Sequence, residues 1–495
     1  MSTPAWVQDA IFYQIFPDRF ARSERMPDLG FEAWDSPPTF HGFKGGDLYG
    51  VVEKLDYLKD LGITALYFNP VFASASNHRY HTFDFYNVDP LLGGNDALRL
   101  LLDEAHKRDM RVILDGVFNH ASRGFWQFHH VLENGIGSPY IDWFYFDPAR
   151  LHGRRRWGAY PGTAELHALE NGEDSLQAIG YRGWWNLPAL PKFNTQTPAV
   201  RKFIFDVAQF WIKFGIDGWR LDVPGEIDDD AFWQEFRFRV HQINPEAYIV
   251  GEIWHEAQRW LQGDQFDAVM NYLITAAALS YCAGPHLNID VVYQAGGLKD
   301  RIHRYIDANG FANEVERIMN LYPPEITRSQ LNLLDSHDMP RFLSCANGDK
   351  NSLKLAWLFI MTISGAPCIY YGDEIGVDGG HDPECRKSFP WDESKWDQDL
   401  LGYAKRVIAL RNDNPAFRRG EYKRLYTVDG VYCYARVFEG HTFIVGLNAS
   451  ESPHQVEVEY EAGKSPKVVF GEASEISADR RLRFTIPPRS GVVLK

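Results

Sequence analysis

Arg220 and Asp222 have the types and spacing that nucleophilic catalysis requires. Side chains alternate across a β-strand, so residues two positions apart face the same side, and residues 218–226 are predicted as a short buried strand. We expect the Arg220 guanidinium to lower the pKa of Asp222 and keep it ionised, as a nucleophilic carboxylate must be. For this pair alone, a buried ion pair with a structural role is the alternative.

Three further apolar runs end in residues that exchange protons or bind polar ligands. One ends in Asn119 and His120, the second carries Glu252, and the third ends in His337 and Asp338. Parallel strands with chemistry at their carboxyl ends are typical of a (β/α)8 barrel, because residues from different strands converge on one face. The sequence therefore predicts a site at that face.

The four stretches also carry a family resemblance. DGVFNH (115–120), GWRLDVPGE (218–226), GEIWH (251–255) and LLDSHD (333–338) resemble, in order and spacing, the four signature segments of the α-amylase family of glycoside hydrolases. LPKFN (190–194) and SNHRYHT (76–82) are similar to motifs of the neopullulanase, cyclomaltodextrinase and maltogenic amylase branch. The resemblance covers nearly the whole chain.

The resemblance implies roles for three carboxyl groups. Asp222 would be the nucleophile, and Glu252 would protonate the leaving oxygen and then deprotonate the incoming water. We expect the apolar neighbours Ile253 and Trp254 to keep Glu252 protonated by desolvation, while Arg220 keeps Asp222 charged. Asp338 would grip sugar hydroxyls and help to distort the ring.

A set of substrate-binding residues is implied as well. Tyr80 would be a stacking platform, and His120 and His337 would donate hydrogen bonds to sugar hydroxyls at the cleaved residue. The remaining members of the set are Arg220, His78, Arg341, Trp185 and Glu226.

Two departures from the branch concern the substrate. His81 stands where the branch usually has Asp, and VPGE (223–226) differs from its usual VANE. The implied activity is a retaining hydrolase of α-1,4 bonds in short maltooligosaccharides, cyclodextrins or related cyclic glucans, with α-1,6 bonds left open. A transglycosylase or isomerase is one alternative, because a sugar hydroxyl can intercept the glycosyl-enzyme. An inactive carbohydrate-binding relative is another, and the intact carboxyl groups speak against it.

The elements that must position these residues alternate between strands and helices. Apolar residues recur at helical spacing in some stretches, while other stretches are short apolar runs. Strands are predicted at 11–16, 63–68, 111–120, 218–226, 248–255, 268–271, 331–338 and 368–371, and helices at 47–62, 95–110, 198–214, 230–241 and 352–363. The strand candidates number eight, as an eight-stranded barrel requires.

The fold class predicted is therefore α/β, a (β/α)8 TIM barrel with an insertion after the third strand and a C-terminal antiparallel β-domain. The barrel domain comprises residues 1–120 and 194–419, the insertion 121–193, and the C-terminal β-sandwich 420–495. The insertion is too long for an ordinary connection, which indicates a functional role.

Charge and cysteine content exclude several classes of protein. The formal net charge of −15 argues against nucleic acid or an anionic membrane as a partner, since both are polyanions. The five cysteines show neither the spacing of a zinc site nor that of a disulfide framework. No export signal or membrane-spanning stretch is recognised, so we expect a cytoplasmic protein with reduced thiols.

The related branch often binds calcium in the loop after the first strand. Gly46 and Asp47 match that motif, but Arg22 and Arg25 lie in the same loop and would repel a dication. We assign no metal ligand and require no cofactor, and expect calcium binding there to be weak or absent.

The first barrel strand begins too early to leave room for the branch's N-terminal domain, through which its dimer narrows the active site. That dimer is not expected here, and the choice between monomer and homodimer stays open. If an α-glucan oligosaccharide is nevertheless bound in a pocket rather than a cleft, its walls must come from aromatic residues of the insertion, namely Trp157, Tyr160, Trp184 and Trp185.

Overall fold

The computed structural model describes residues 3–151, 158–293, 296–302, 306–459, 466–478 and 481–495. Trp157, predicted to line a pocket, lies outside these residues. Within them the strands are β1 (Phe12–Ile15), β2 (Ala65–Phe68), β3 (Phe72–Ser74), β4 (Thr82–Val88), β5 (Arg111–Gly116), β6 (Gly218–Leu221), β7 (Tyr248–Gly251), β8 (Ala268–Val269), β9 (Leu331–Leu333), β10 (Ala366–Tyr370), β11 (Glu421–Val428), β12 (Val431–Phe438), β13 (His441–Asn448), β14 (His454–Glu459), β15 (Val468–Gly471), β16 (Ser474–Ala478), β17 (Arg481–Ile486) and β18 (Ser490–Leu494).

Eight parallel strands form the barrel. Their order is β8-β7-β6-β5-β2-β1-β10-β9, and a parallel bridge between Met270 and Leu331 joins the two outer strands. All four residues of β1, β2, β6 and β7 are buried, as expected for strands covered by helices on one side and filling the barrel on the other. The predicted (β/α)8 barrel is confirmed.

Helices follow most of the barrel strands. The longer ones span Leu48–Glu53, Leu55–Leu61, Gly94–His106, Trp126–Asn134, Thr163–Glu170, Pro198–Phe214, Asp230–Ile243, Tyr272–Ala278, Ala308–Met319, Pro324–Ser329, Lys350–Thr362 and Gln398–Asp413. Helix Pro198–Phe214 begins with proline and ends at Gly215, whose φ of 116° is left-handed.

Two details of the helices differ from the sequence-based prediction. The helix predicted over 47–62 is broken at Lys54, which leaves the helical conformation with φ −107° and ψ 3°. The helix predicted over 95–110 spans Gly94–His106 instead, and the side-chain oxygen of Asn95 accepts a hydrogen bond from the Val88 N–H at 2.8 Å and so fixes the end of β4.

The insertion between β5 and β6 is held together by aromatic rings more than by regular structure. Phe125 packs edge-to-face on Phe193 with ring centroids 5.5 Å apart, and Phe128 contacts Phe144 at 5.0 Å and Tyr181 at 4.9 Å. These rings are buried and join the barrel's hydrophobic core. The insertion is therefore a fixed wall beside the barrel mouth.

The C-terminal region consists of two antiparallel sheets. One has the order β11-β12-β13-β18-β15 and the other β14-β17-β16, with a separate apolar cluster between them that includes Val431, Val456 and Phe484. The Tyr281 hydroxyl donates to the carbonyl oxygens of Gly430 and Leu447, which ties this region to the barrel. In the described part of the chain, no helix has both the length and the apolar character needed to cross a membrane.

Candidate active site

The guanidinium of Arg220 stands at the centre of the predicted site. Its Nη1 lies 2.9 Å from Asp115 Oδ1 and 3.0 Å from Asp222 Oδ1, and its Nη2 lies 2.9 Å from Glu252 Oε1. Asp115 and Arg220 are register partners on β5 and β6, and Glu252 directly follows β7, the next strand. Three adjacent strand ends thus deliver three carboxyl groups to one cation.

Asp115 fixes the orientation of its neighbours. Besides Arg220, its Oδ2 accepts hydrogen bonds from the hydroxyls of Tyr80 at 2.9 Å and Tyr67 at 3.2 Å. Burial raises the pKa of Asp115, and its four donor contacts, two of them with Arg220, oppose that rise. Asp115 therefore acts as the counter-ion that holds Arg220 and Tyr80 in place.

Arg220 does not distinguish the carboxyl groups of Asp222 and Glu252. Burial raises the pKa of Asp222 well above its ordinary value, Arg220 opposes this, and the nearby Glu252 carboxyl adds to it. Burial also raises the pKa of Glu252, again against Arg220. The expectation that Arg220 keeps Asp222 alone charged is wrong, because the same guanidinium also contacts Glu252.

Hydrogen bonds to Glu252 also differ from the expectation. The indole Nε1 of Trp254 donates to Glu252 Oε1 at 3.2 Å, so this ring is a polar partner as well as an apolar neighbour. Asp222 Oδ2, by contrast, is buried and has no hydrogen-bond partner among the described residues. With one cation for three carboxyl groups, we expect the titrations of Asp222 and Glu252 to be linked, so that their apparent pKa values belong to the pair.

Val223 joins the two carboxyl groups through the backbone. It directly follows Asp222 and has φ 36° and ψ 49°, a left-handed conformation that is unfavourable for a β-branched residue. In this conformation its N–H donates to Glu252 Oε2 at 3.0 Å. The strained backbone conformation of Val223 thus holds the Glu252 carboxyl group in place.

Asp338, His337 and Tyr80 form a second polar cluster. His337 Nε2 lies 2.6 Å from the Tyr80 hydroxyl and 3.0 Å from Asp338 Oδ2, while its Nδ1 faces the Gln14 amide at 3.0 Å. The rings of Tyr80 and His337 are stacked, with centroids 5.5 Å apart. Burial alone would raise the pKa of Asp338, but His337 and Arg386 outweigh it and hold the pKa below its ordinary value.

His120 is held by a stack of rings. Trp184 lies parallel to it at 5.0 Å between centroids, and Trp185 lies parallel to Trp184 at 4.6 Å and is 77% exposed. Burial lowers the pKa of His120 to about 3, so the ring is neutral. Its Nδ1 faces the Asn119 amide at 3.3 Å, and its buried Nε2 has no partner among the described residues.

A cavity of about 980 Å³ opens next to the cluster of Asp338, His337 and Tyr80. Arg386, which contacts Asp338, and His78, whose Nδ1 accepts a hydrogen bond from the Tyr80 N–H at 3.2 Å, both line it. Phe40 and Tyr160 form outer parts of its wall, with 62% and 76% of their surfaces exposed. Burial lowers the pKa of His78 well below its ordinary value, so it is neutral. Other lining residues are His41, Ser76, Asn77, His81, Arg123, Leu166, Leu187, Pro188 and Asp382.

Two residues of the predicted substrate-binding set lie elsewhere. Arg341 is fully buried, with Nη1 2.8 Å from Asp373 Oδ1 and from the Tyr371 carbonyl oxygen, so it fastens a loop beneath the site. Glu226 forms an ion pair with Lys192 at 3.1 Å, and Lys192 also donates to the Glu226 carbonyl oxygen at 2.8 Å. Glu226 thereby ties the insertion to the end of β6.

Sequence reasoning missed Arg386. Its Nη2 lies 3.2 Å from Asp338 Oδ1, its Nε donates to the His337 carbonyl oxygen at 2.8 Å, and its Nη1 pairs with Asp382 at 3.0 Å. The available signal was its position in the loop after β10, the eighth barrel strand, because such loops build the active face.

Comparison with known proteins agrees with this arrangement. The model of the α-amylase catalytic domain matches residues 14–420. A cyclomaltodextrinase of a Bacillus species is 42% identical over 456 residues, which cover 91% of this chain and 74% of that protein.

Two solved structures share the whole architecture. The debranching enzyme from Nostoc punctiforme is 44% identical with a TM-score of 0.88, over 100% of this chain and 99% of that chain. The cyclic α-maltosyl-(1→6)-maltose hydrolase from Arthrobacter globiformis is 32% identical with a TM-score of 0.83, over the full length of both chains. With the family match running from the first barrel strand to the end of the barrel, the chain belongs to the α-amylase family of glycoside hydrolases.

Proposed function

We propose that this protein is a retaining α-glucan hydrolase that cleaves α-1,4 bonds in short or cyclic maltooligosaccharides. The observation that carries the proposal is the single guanidinium of Arg220 in contact with both Asp222 and Glu252, with Asp338 close by in the His337 cluster. Two carboxyl groups that share one proton provide the nucleophile and the acid that a retaining glycosidase needs.

The reaction proceeds in two steps. An oxygen of Asp222 attacks the anomeric carbon while Glu252 gives its proton to the leaving glycosidic oxygen, which breaks the glycosidic bond and forms a covalent glycosyl-enzyme. Glu252, now ionised, then takes a proton from a water molecule that attacks the same carbon and releases Asp222. Two displacements at one carbon retain the α configuration.

The surrounding residues bind the sugar at the cleaved position. By resemblance to the family, His120 donates to a sugar hydroxyl and Asp338 accepts from one, since Arg386 and His337 hold the pKa of Asp338 below its ordinary value. Tyr80 offers its ring face, held flat by the stacked His337. These contacts favour ring distortion toward the transition state, where charge builds at the anomeric carbon.

The cavity meets the site through Arg386, which contacts Asp338, rather than through the three carboxyl groups themselves, and its size supports a preference for short substrates. Its volume of about 980 Å³ lies at the upper end of the roughly 300–1,000 Å³ typical of small-molecule sites. Its lining includes Tyr160, Leu166 and Leu187 from the insertion and Phe40 from the loop after β1. A long starch chain gains no contacts beyond these walls, whereas a short or cyclic chain is enclosed.

The test is hydrolysis of maltotriose, a cyclodextrin, pullulan and soluble starch by the wild type and by two variants. We expect Asp222→Ala and Glu252→Gln to lose several orders of magnitude in turnover with an unchanged melting temperature, because each removes a group that acts in the chemical step. Asp217→Asn, at the opposite end of β6, serves as a folding-matched control and should retain activity. Near wild-type turnover in either site variant would refute the assigned roles.

Product analysis at high sugar concentration addresses the remaining alternative. A transglycosylase would return longer oligosaccharides under these conditions, because a sugar hydroxyl replaces water in the second step. We also propose a cytoplasmic location, which is supported by five free, buried cysteines.

A further inference from the structure

The long loop between β1 and the first barrel helix encloses a buried ammonium group. The Lys44 side chain is fully buried, and its Nζ donates to the carbonyl oxygens of Ala33 and Ser36, both at 2.8 Å, and to the Ser36 hydroxyl at 2.5 Å. A carboxylate oxygen of Glu32 lies 3.3 Å from the same nitrogen. A charge taken out of water needs such partners, and this set of oxygens is the kind that holds a bound cation.

A second cationic side chain reinforces the same loop. Nε of Arg22 donates to the Lys44 carbonyl oxygen at 3.1 Å, and its Nη2 donates to that oxygen and, at 3.5 Å, to the Glu32 carbonyl oxygen. The guanidinium also lies over the rings of Phe31 and Trp34, 5.6 and 5.8 Å from their centroids. The backbone oxygens that converge in this loop thus accept hydrogen bonds from the cationic side chains of Lys44 and Arg22.

The residues of this loop do not fit a calcium ion. Both carboxylate oxygens of Asp47 are taken by backbone donors, the N–H groups of Ser23 and Gly50, each at 2.8 Å. The neighbouring guanidinium and ammonium would repel a dication. Nowhere in the described ranges do three or more His, Cys, Asp or Glu side chains form a group that could hold a metal.

The loop also carries part of the substrate cavity. Phe40 and His41 line it, and the backbone around them is fixed from both sides. The Asn77 amide donates to the carbonyl oxygens of Phe40 at 3.1 Å and Gly42 at 2.8 Å, and Nη2 of Arg19 donates to Gly42 at 2.9 Å. Lys44 fastens the preceding turn, at Ala33 and Ser36, and thereby determines where residue 40 can lie.

We propose that Lys44 and Arg22 are internal cations that take the place of a metal ion in this loop, and that Lys44 is a positioning residue for the wall of the substrate cavity. The replacement of a metal ion does not depend on the reaction that the protein catalyses. The positioning role of Lys44 rests on the proposed function, so melting temperature tests the first and kinetics test the second.

Thermal melting tests the first part. Wild-type protein should melt at the same temperature with chelator and with added calcium. Lys44→Ala should melt several degrees lower than wild type, and ammonium chloride should restore part of the loss while tetramethylammonium chloride, too large for the emptied oxygen cage, should not. Lys107→Ala, an exposed surface lysine, is the control and should behave as wild type.

Arg22→Asn provides a second variant in case Lys44→Ala does not fold. It removes the guanidinium and frees carbonyl oxygens, so calcium should now raise its melting temperature. A fall in the wild-type melting temperature on adding chelator would overturn the proposal. So would a Lys44→Ala variant with wild-type stability, or a stability that all salts restore equally.

Kinetics test the positioning role. Lys44→Ala should show a several-fold rise in KM for maltotriose with little change in kcat, because Phe40 contacts the cavity and not the carboxyl groups. Ammonium should lower that KM again, as it restores the loop. A loss in kcat as large as the rise in KM would refute this role. So would a rise in KM that ammonium does not reverse. If the protein cleaved no α-glucan at all, the proposed function would fail while the melting results still stood.

Discussion

Replacing Asp115 by Asn should move the whole pH profile of activity to lower pH. Asp115 touches the same guanidinium nitrogen as Asp222, at 2.9 and 3.0 Å, and its negative charge helps to raise the pKa of Asp222. Asparagine keeps the shape and removes the charge. The free energy needed to ionise Asp222 or Glu252 then falls.

The magnitude follows from the geometry. Two oxygens bound to one nitrogen are separated by no more than about 6 Å, where like charges at an effective dielectric constant of about 20 repel by roughly 2.8 kcal/mol, or about 2 pKa units. Relaxation and partial solvation reduce this, so we expect a shift of about one pH unit.

The direction of the shift is the same on both limbs. Activity requires one proton on the Asp222 and Glu252 pair, so it is lost at low pH when the pair gains a second proton and at high pH when it loses its only one. Removing the Asp115 charge lowers both apparent pKa values of the pair, and both limbs of the bell-shaped profile move toward acid.

The assay is kcat/KM on a short maltooligosaccharide across the pH range, because this ratio reports the free enzyme. We also expect the maximum value of kcat/KM to be lower than in the wild type, because the contacts of residue 115 with Arg220 and with the Tyr80 hydroxyl weaken. Asp217→Asn is the control, because this buried carboxylate directly precedes β6, at the end opposite Asp222, and its removal should leave the profile in place. An unmoved acid limb, or one displaced to higher pH, would refute the shared-proton argument.

Three further predictions follow from other parts of the structure. The first product released from an α-linked substrate should have the α configuration by NMR, and an initial β anomer would exclude a nucleophilic Asp222. Tyr160→Ala should lower kcat/KM on maltotriose more than on soluble starch, because it opens a cavity wall; equal losses would show that the ring only supports the insertion. Arg341→Met should cost about 3–5 kcal/mol of stability by leaving Asp373 unpaired in the interior, as measured by denaturant unfolding, with an unchanged KM. A raised KM in the folded variant would restore Arg341 to the substrate-binding set.

Much of the architecture could be predicted from local patterns. The eight barrel strands are short buried runs, and their ends were recognisable because polar residues follow apolar ones at Asn119, Glu252 and His337. Period and flanking residues also revealed the helix Pro198–Phe214. These features depend on neighbours in sequence, which a single chain displays directly.

The electrostatics of the site could not be predicted in the same way. Whether Arg220 pairs with Asp222 alone or also with Glu252 depends on how far adjacent strand ends stand apart, a distance that no motif records. Arg341 lies near a signature segment in sequence, yet its side chain turns inward to Asp373 because that buried carboxyl group is delivered by a distant loop. Lys54, where the predicted helix is broken, likewise makes a tertiary contact that no local pattern records, with its ammonium 4.2 Å from the centre of the Trp391 ring.

The left-handed Val223 has a consequence for the spacing of the catalytic pair. One side of this residue is covalently joined to Asp222, and its N–H is hydrogen-bonded to Glu252 Oε2. The backbone therefore links the two carboxyl groups through one peptide group and one hydrogen bond, and this link does not depend on the rotamers of the surrounding wall. Loops and cavity walls can vary to accept other sugars while the spacing of the two carboxyl groups, and with it the stereochemical course of the proposed reaction, is kept.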